Sequence, residues 1–279
     1  MAFLISVTLM GTSTPAAGLK PETAAAYDRY ISLTESRMDE DVRADQFFVI
    51  DRLPEEKRKE AYEQLRQGVP YIEEMHTRAD HQSIHIPSGL VHHWAGVIFI
   101  PRATLSETNA VLQDIEHEPE IYKPDVRRAK SIEQNGDDSK ILLQFYNKSI
   151  VTVVLNAYSD VAVTHIGSSR LQSASRSTRI VEVMDWDGPN EHERTDGNDY
   201  GYMWRLNSYW RLEEKDGGVY VQNESITLSR TVPVMLAWLI DPLIKSIPRE
   251  VMSRTLSNTQ KAVELRRAAA QEGRGEASH

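Results

Sequence analysis

Five of the nine histidines, His76, His81, His85, His92 and His93, fall within a stretch of eighteen residues. Imidazole is a common metal ligand and a proton carrier near neutral pH, so the cluster is the first place to look for chemistry. Its spacing fits neither a His-Glu-x-x-His helix nor a 2-His-1-carboxylate set. On a strand, His92 and His93 point to opposite faces and cannot share an ion without a bulge. Surface or loop histidines are the simpler account, and no metal is expected. A second set lies along Tyr202–Leu212, where alternation puts Arg205, Asn207, Tyr209 and Arg211 on one face and Trp204, Leu206, Ser208 and Trp210 on the other. If the polar face lines a pocket, Arg205, Asn207 and Tyr209 are its polar handles, with Arg205 placed to meet a carboxylate or phosphate head. Glu182 and Glu224, on neighbouring strands, would neutralise that arginine, because an unpaired buried charge is too costly to keep. The alternative is a solvated face whose charges pair across strands.

Trp94 and Trp238 are candidate apolar walls for a bulky ligand, or plain core. Met235, Trp238 and Leu239 sit near Pro242, where a kinked helix could gate a cavity mouth. The Gly-x-Ser-x-Gly elbow and the Gly-x-x-x-x-Gly-Lys-Ser/Thr loop are both absent. With no cysteine, thiolate nucleophiles, disulfides and Cys-ligated zinc are excluded. No catalytic residue is identified, and no cofactor is called for.

Stepping outward, 279 residues with 40% hydrophobic and 26% charged side chains make a globular chain long enough for one large domain or two ordinary ones. The formal net charge of -9 argues against a nucleic acid or an anionic membrane surface as partner. The apolar run Ala2–Met10, followed by small residues through Gly18, has the order of a secretory signal but no Lys or Arg before Lys20. The expectation is a periplasmic or secreted protein, with a cytoplasmic one as the alternative. The run is too short to span a bilayer, for which about 20 residues are needed.

Pro21 opens a predicted helix with Tyr27, Tyr30, Ile31, Thr34 and Met38 on one face. Phe47–Ile50 reads as a strand and Glu55–Gln67 as a second helix, so residues 19–68 form a helical N-terminal extension too poor in apolar surface for its own core. Leu90–Ile100 is strand-like, and Thr104-Leu105-Ser106-Glu107 is a capping box for a short helix. Strands follow at Val126–Glu133, Lys140–Tyr146, Ile150–Asn156, Val161–His165 and Thr178–Trp186, then the hairpin Tyr202–Leu212 and Val219–Ser229. Val234–Ile247 is predicted to be a helix kinked at Pro242. A longer helix follows from Pro248 to about Ala270, with Met252, Leu256, Thr259 and Val263 as its stripe. Residues 271–279 read as a disordered tail.

This is an α+β order in which the last amphipathic helix has only a curved antiparallel sheet to pack on. The order, with Trp94-Ala95-Gly96-Val97-Ile98-Phe99-Ile100-Pro101 leading into the short helix, resembles the START-like helix-grip (SRPBCC) superfamily of lipid-transfer domains, pollen-allergen-type proteins and polyketide cyclases. The resemblance covers about Val69 to Arg267, within a domain read as residues 69–270. The strings Val91-His92-His93-Trp94, Tyr209-Trp210-Arg211 and Leu228-Ser229-Arg230-Thr231-Val232-Pro233 are similar to stretches of exported bacterial members. The resemblance implies an internal cavity holding an apolar or amphipathic small molecule, a lipid among the candidates. The rival it implies is a cyclase- or hydrolase-like enzyme in the same cavity, with Tyr209 or a histidine moving the proton. A third reading is an interaction module whose charged N-terminal helices dock a partner. The oligomeric state stays open.

Overall fold

A computed structural model describes residues 18–148, 152–195, 197–231 and 234–276, with side chains described over 248–272 of the last span. The signal-like segment through residue 17 lies outside the described residues, as do the side chains of Met235, Trp238 and Leu239. The chain runs α1 (Pro21–Arg43), α2 (Glu55–Arg66), β1 (Tyr71–Glu74), a small hairpin of β2 (Arg78–Ala79) and β3 (Gln82–Ser83), then β4 (Gly89–Pro101). Next come α3 (Leu105–Leu112), α4 (Glu118–Ile121), β5 (Val126–Asn135), β6 (Asp138–Lys148), β7 (Thr152–Ile166) and β8 (Arg170–Met184). It ends with β9 (His192–Glu193), β10 (Arg205–Lys215), β11 (Gly218–Arg230) and α5 (Val234–Glu276).

Among the described residues nine strands form one antiparallel sheet in the order β1-β4-β11-β10-β8-β7-β6-β5, with β9 paired to β8. The tight turn at Asp216 and Gly217, both at positive φ, joins β10 to β11 and sets a register from Lys215–Gly218 to Arg205–Leu228. Pairing Asn207 with Ile226 and Arg176, and Trp210 with Asn223 and Ser173, makes these central strands share faces residue by residue. The sheet therefore has two distinct faces, and different helices cover them.

On one face, Met252, Leu256 and Val263 of α5 pack against Ile98, Leu171, Leu212 and Val221. Gly96 makes the approach possible, since a Cβ there would lie 2.6 Å from Leu256 Cδ1. On the opposite face, Tyr27, Tyr30, Ile31 and Met38 of α1 pack on Tyr209, Ile226 and Leu228. Phe47, Phe48, Val49 and Ile50 fill the space beside them with Ala95, Val97, Phe99 and Tyr220. Helix α3 begins with the expected capping box, Thr104 Oγ1 accepting from Glu107 N–H and the Glu107 carboxylate accepting from Thr104 N–H. The result is the α+β helix-grip layout expected from the element order. No described helix is long and apolar enough to cross a membrane.

Several elements differ from expectation. Residues 19–68, expected as a helical extension without its own core, use the sheet for one: α1 packs as a layer on it, because its stripe finds apolar partners on β10 and β11. Val49–Arg52 is a 3₁₀ turn rather than a strand, its apolar run plugging the core instead of joining the sheet. The two segments expected around residues 150–165 are one strand, β7, and β8 begins eight residues earlier than its apolar half suggests. The backbone of α5 is a single helix through Pro242 and Pro248, and it continues to Glu276. Because Leu256 is fully buried, Leu256→Ala is expected to cost about 2–5 kcal/mol, read as a lowered urea midpoint at unchanged slope.

Candidate functional site

The polar side chains of β10 and β11 meet α1, not α5. Stripe positions 27, 30, 34, 37 and 41 of α1 step by three and four and so point together at the sheet. Arg37 and Asp41 extend the apolar stripe with charge, and the sheet answers with Glu224. Glu224 is wholly buried; its Oε1 accepts from Arg37 Nη2 and, at 2.7 Å, from His93 Nε2. Arg37 also reaches Asp41 at 3.1 Å. Tyr30 OH accepts the Thr77 N–H at 2.9 Å, so its own proton points to His93 Nδ1, also 2.9 Å away. That fixes His93 as the neutral Nε2–H tautomer, donating to the Glu224 carboxylate.

Burial pushes the His93 pKa down, against the raising effect of Glu224. Burial alone would raise the Glu224 pKa, but the His93 hydrogen bond and the charges of Arg37 and Arg211 outweigh it and hold the group below the usual carboxylate range. Arg211 donates to the carbonyls of Phe47 and Met38, at 2.8 Å each, tying down the end of α1 and the loop that follows. A parallel chain runs alongside: Tyr27 OH to Asn207 Oδ1 at 3.1 Å, Asn207 Nδ2 to Tyr209 OH at 3.1 Å, and Tyr209 OH to Glu35 at 2.7 Å. Each hydrogen bond ends on protein.

The expectation that Arg205, Asn207, Tyr209 and Glu224 line the space beneath the C-terminal helix is therefore corrected. Their strand phase turns them to the α1 face, where Asn207, Tyr209 and Glu224 are sealed. Arg205 is half-buried near Tyr27 and donates to the Trp204 carbonyl at 3.1 Å. Glu224 and Glu182 are not its neutralising partners. Glu182 shares a face with Leu155, which brings it to the α5 side, where it accepts from Tyr200 N–H at 2.8 Å with Arg194 at 3.6 Å. Burial raises its pKa. Trp94 also reaches the α5 face, half-buried against the α5 core. The Trp238 side chain lies outside the described residues. His93, treated as a surface or loop residue in the sequence, is instead at the centre of the buried network; the charged Arg37 and Asp41 on the α1 stripe were the signal for it.

Among the described residues the α5 face is less completely covered than the α1 face. Its packed part ends near Trp210. Beyond that, Leu143, Val161, Ile180 and Leu206 are only half-buried, although they sit inside the sheet rather than at an edge. Cross-strand pairing puts Leu143 and Ile180 on one face through Ala157, and Val161 beside Ser175 and Ser208. These apolar side chains on interior strands keep accessible surface that no described residue seals, while the peptide groups beneath them are satisfied in the ladder.

No protein-family model matches the sequence, and no curated protein matches it. Among solved structures, the chain is similar to a STAR-related lipid transfer protein from Xanthomonas axonopodis at 14% identity and a TM-score of 0.45, over 64% of this chain and 96% of that one. It is similar to an aromatase/cyclase from Streptomyces at 11% identity and 0.44, over 65% and 98%. It is also similar to a START superfamily protein from Mycobacterium smegmatis at 10% identity and 0.39, over 63% and 97%.

Two outcomes follow from the buried network. Glu224→Ala leaves Arg37 and His93 without their acceptor and is expected to cost about 3 kcal/mol or more in denaturant unfolding, with Glu224→Gln milder. His93 and Glu224 both hold fewer protons folded than unfolded, whereas Asp41, Glu182 and Glu118, raised by burial, act in the opposite sense. The share of stability that His93 and Glu224 contribute is thus full above the ordinary histidine value of 6.5 and is lost as pH falls, first through 6.5 and then through the carboxylate value of 4.5. Urea midpoints at descending pH check this; His93→Gln is expected to remove the upper part of that loss, and a profile that His93→Gln leaves unchanged in shape would contradict the assignment.

Proposed function

We propose that the chain binds an apolar or amphipathic small molecule, of the lipid type, on the α5 face of its sheet. The observation that carries this is the row of half-buried apolar side chains, Leu143, Val161, Ile180 and Leu206, which share the α5 face of interior strands and are not sealed by any described residue. A guest covering them gains about 25 cal/mol for each Å² of apolar surface removed from water, before ordering costs are subtracted. Trp94 supplies an aromatic wall beside that row. Arg205 is not the head-group anchor, since the sheet lies between it and this face. Tyr209 is likewise held by Glu35 on the far side, so of the two proton carriers the sequence suggested for the enzymatic rival, Tyr209 or a histidine, only a histidine such as His92 is left on this face. The signal-like run Ala2–Met10 supports placing this binding in the periplasm or outside the cell.

Delipidated protein titrated with long-chain alcohols and fatty acids is expected to unfold at higher temperature, by an amount equivalent to about 2.7 kcal/mol at a hundredfold excess over Kd. Leu206→Asp, which puts a charge into that apolar row, is expected to abolish that shift while leaving the ligand-free protein folded. A shift of equal size in Leu206→Asp would move the binding elsewhere.

A further inference from the structure

The α5 face carries a pattern that apolar burial does not account for. Ser175, Ser208 and Ser225 are direct cross-strand neighbours on β8, β10 and β11, and Trp94 is next in the same line on β4. In the adjoining line Ser173 sits beside Trp210, and two residues the other way lies Thr227. Interior strand positions facing a helix are usually aliphatic, because a hydroxyl there needs a partner that the ladder, already paired, does not provide. Asn223 donates to Ser208 Oγ at 2.9 Å. Ser173, Ser175, Ser225 and Thr227 have no side-chain hydrogen-bond partner among the described residues, and all four are half-buried rather than sealed. A strip of hydroxyls with no partner among the described residues thus lies on the same face as the apolar row.

The strip itself carries no charge. Its titratable neighbours among the described residues are His92, on the line of Thr227, whose pKa is lowered by burial, and the exposed Glu74, paired with Trp94 at the end of the serine line. Further along this face, Glu182 and Arg194 are engaged with each other and with Tyr200. A carboxylate or phosphate head placed on the strip would be desolvated beside the Glu74 carboxylate, with no free cation among the described residues to meet it. Serine and threonine hydroxyls both donate and accept, which suits the hydroxyls of a sugar or polyol, and the Trp94 and Trp210 rings offer apolar faces for its C–H surface.

We propose that Ser173, Ser175, Ser225 and Thr227, with Trp94 and Trp210, form a headgroup subsite for an uncharged polyhydroxylated amphiphile of the alkyl-glycoside type. This rests on the reading of the α5 face as an amphiphile site. The test is calorimetric titration of the full chain with octyl glucoside below its micellar concentration, octanoate and 1-octanol. Octyl glucoside is expected to bind about tenfold tighter than octanoate, the worth of one or two hydrogen bonds. Ser175→Ala/Ser225→Ala, which removes two hydroxyls that hold nothing in the protein, is expected to weaken the glucoside by about tenfold and leave octanol within about twofold. Octanoate binding as tightly as the glucoside, or a double variant that binds the glucoside unchanged, would overturn the headgroup assignment alone. Failure of all three compounds to bind would overturn the amphiphile site itself.

Discussion

A carboxylate with no solvent exposure must be met by positive partners, and Glu224 is met by Arg37 from α1 and by the neutral His93 N–H. That requirement fixes which face of the sheet α1 occupies. Arg211 reinforces it from the same face by holding the carbonyls at the end of the helix. Once α1 owns that face, strand alternation assigns every other side chain: Asn207, Tyr209 and Arg211 go under α1, and Ser208, Trp210 and Leu212 go under α5. A slip of one residue would exchange the two sets and leave charge under α5 and serine under α1.

The two faces then differ in how they are finished. Under α1 the polar groups form chains such as Tyr30–His93–Glu224–Arg37, buried from Tyr30 to Glu224 and reaching the surface at Arg37, with Glu224 Oε2 left without a hydrogen-bond partner among the described residues. Such networks favour one geometry, since each member loses its partner if another moves. Under α5 the packing is tight only where Met252, Leu256 and Val263 cross Ile98 and Leu212, and looser beyond Trp210. A sheet braced from behind, with a less tightly packed face on the other side, is the division that the proposed binding of a guest would use, since a preorganised surface lowers the ordering cost of binding.

The layout was legible in the sequence because its signals are local. The Lys215–Gly218 turn, the Thr104–Glu107 capping box and the spacing of Met252, Leu256, Thr259 and Val263 each act within a few residues. The ownership of the faces was not, because strand phase says only that Arg205, Asn207 and Tyr209 differ from Leu206, Ser208 and Trp210; which helix covers which set is decided by α1, more than 150 residues away. The first half of β8 was missed for a related reason. Arg170–Ser177 has serines at its α5-face positions 173, 175 and 177, so the apolar alternation that marks a half-buried strand is missing. The hydroxyls that hid the strand from view are the ones that give the binding face its polar strip.

The central claim is that a guest sits between sheet and α5, and its position can be read directly. A long-chain alcohol bearing a diazirine, photolysed on the delipidated protein and mapped by peptide mass spectrometry, is expected to label Leu143, Ile180, Leu206 and Trp210, and to be displaced by excess unlabelled alcohol. Saturable labelling of α1, or labelling that excess alcohol does not reduce, would contradict the account.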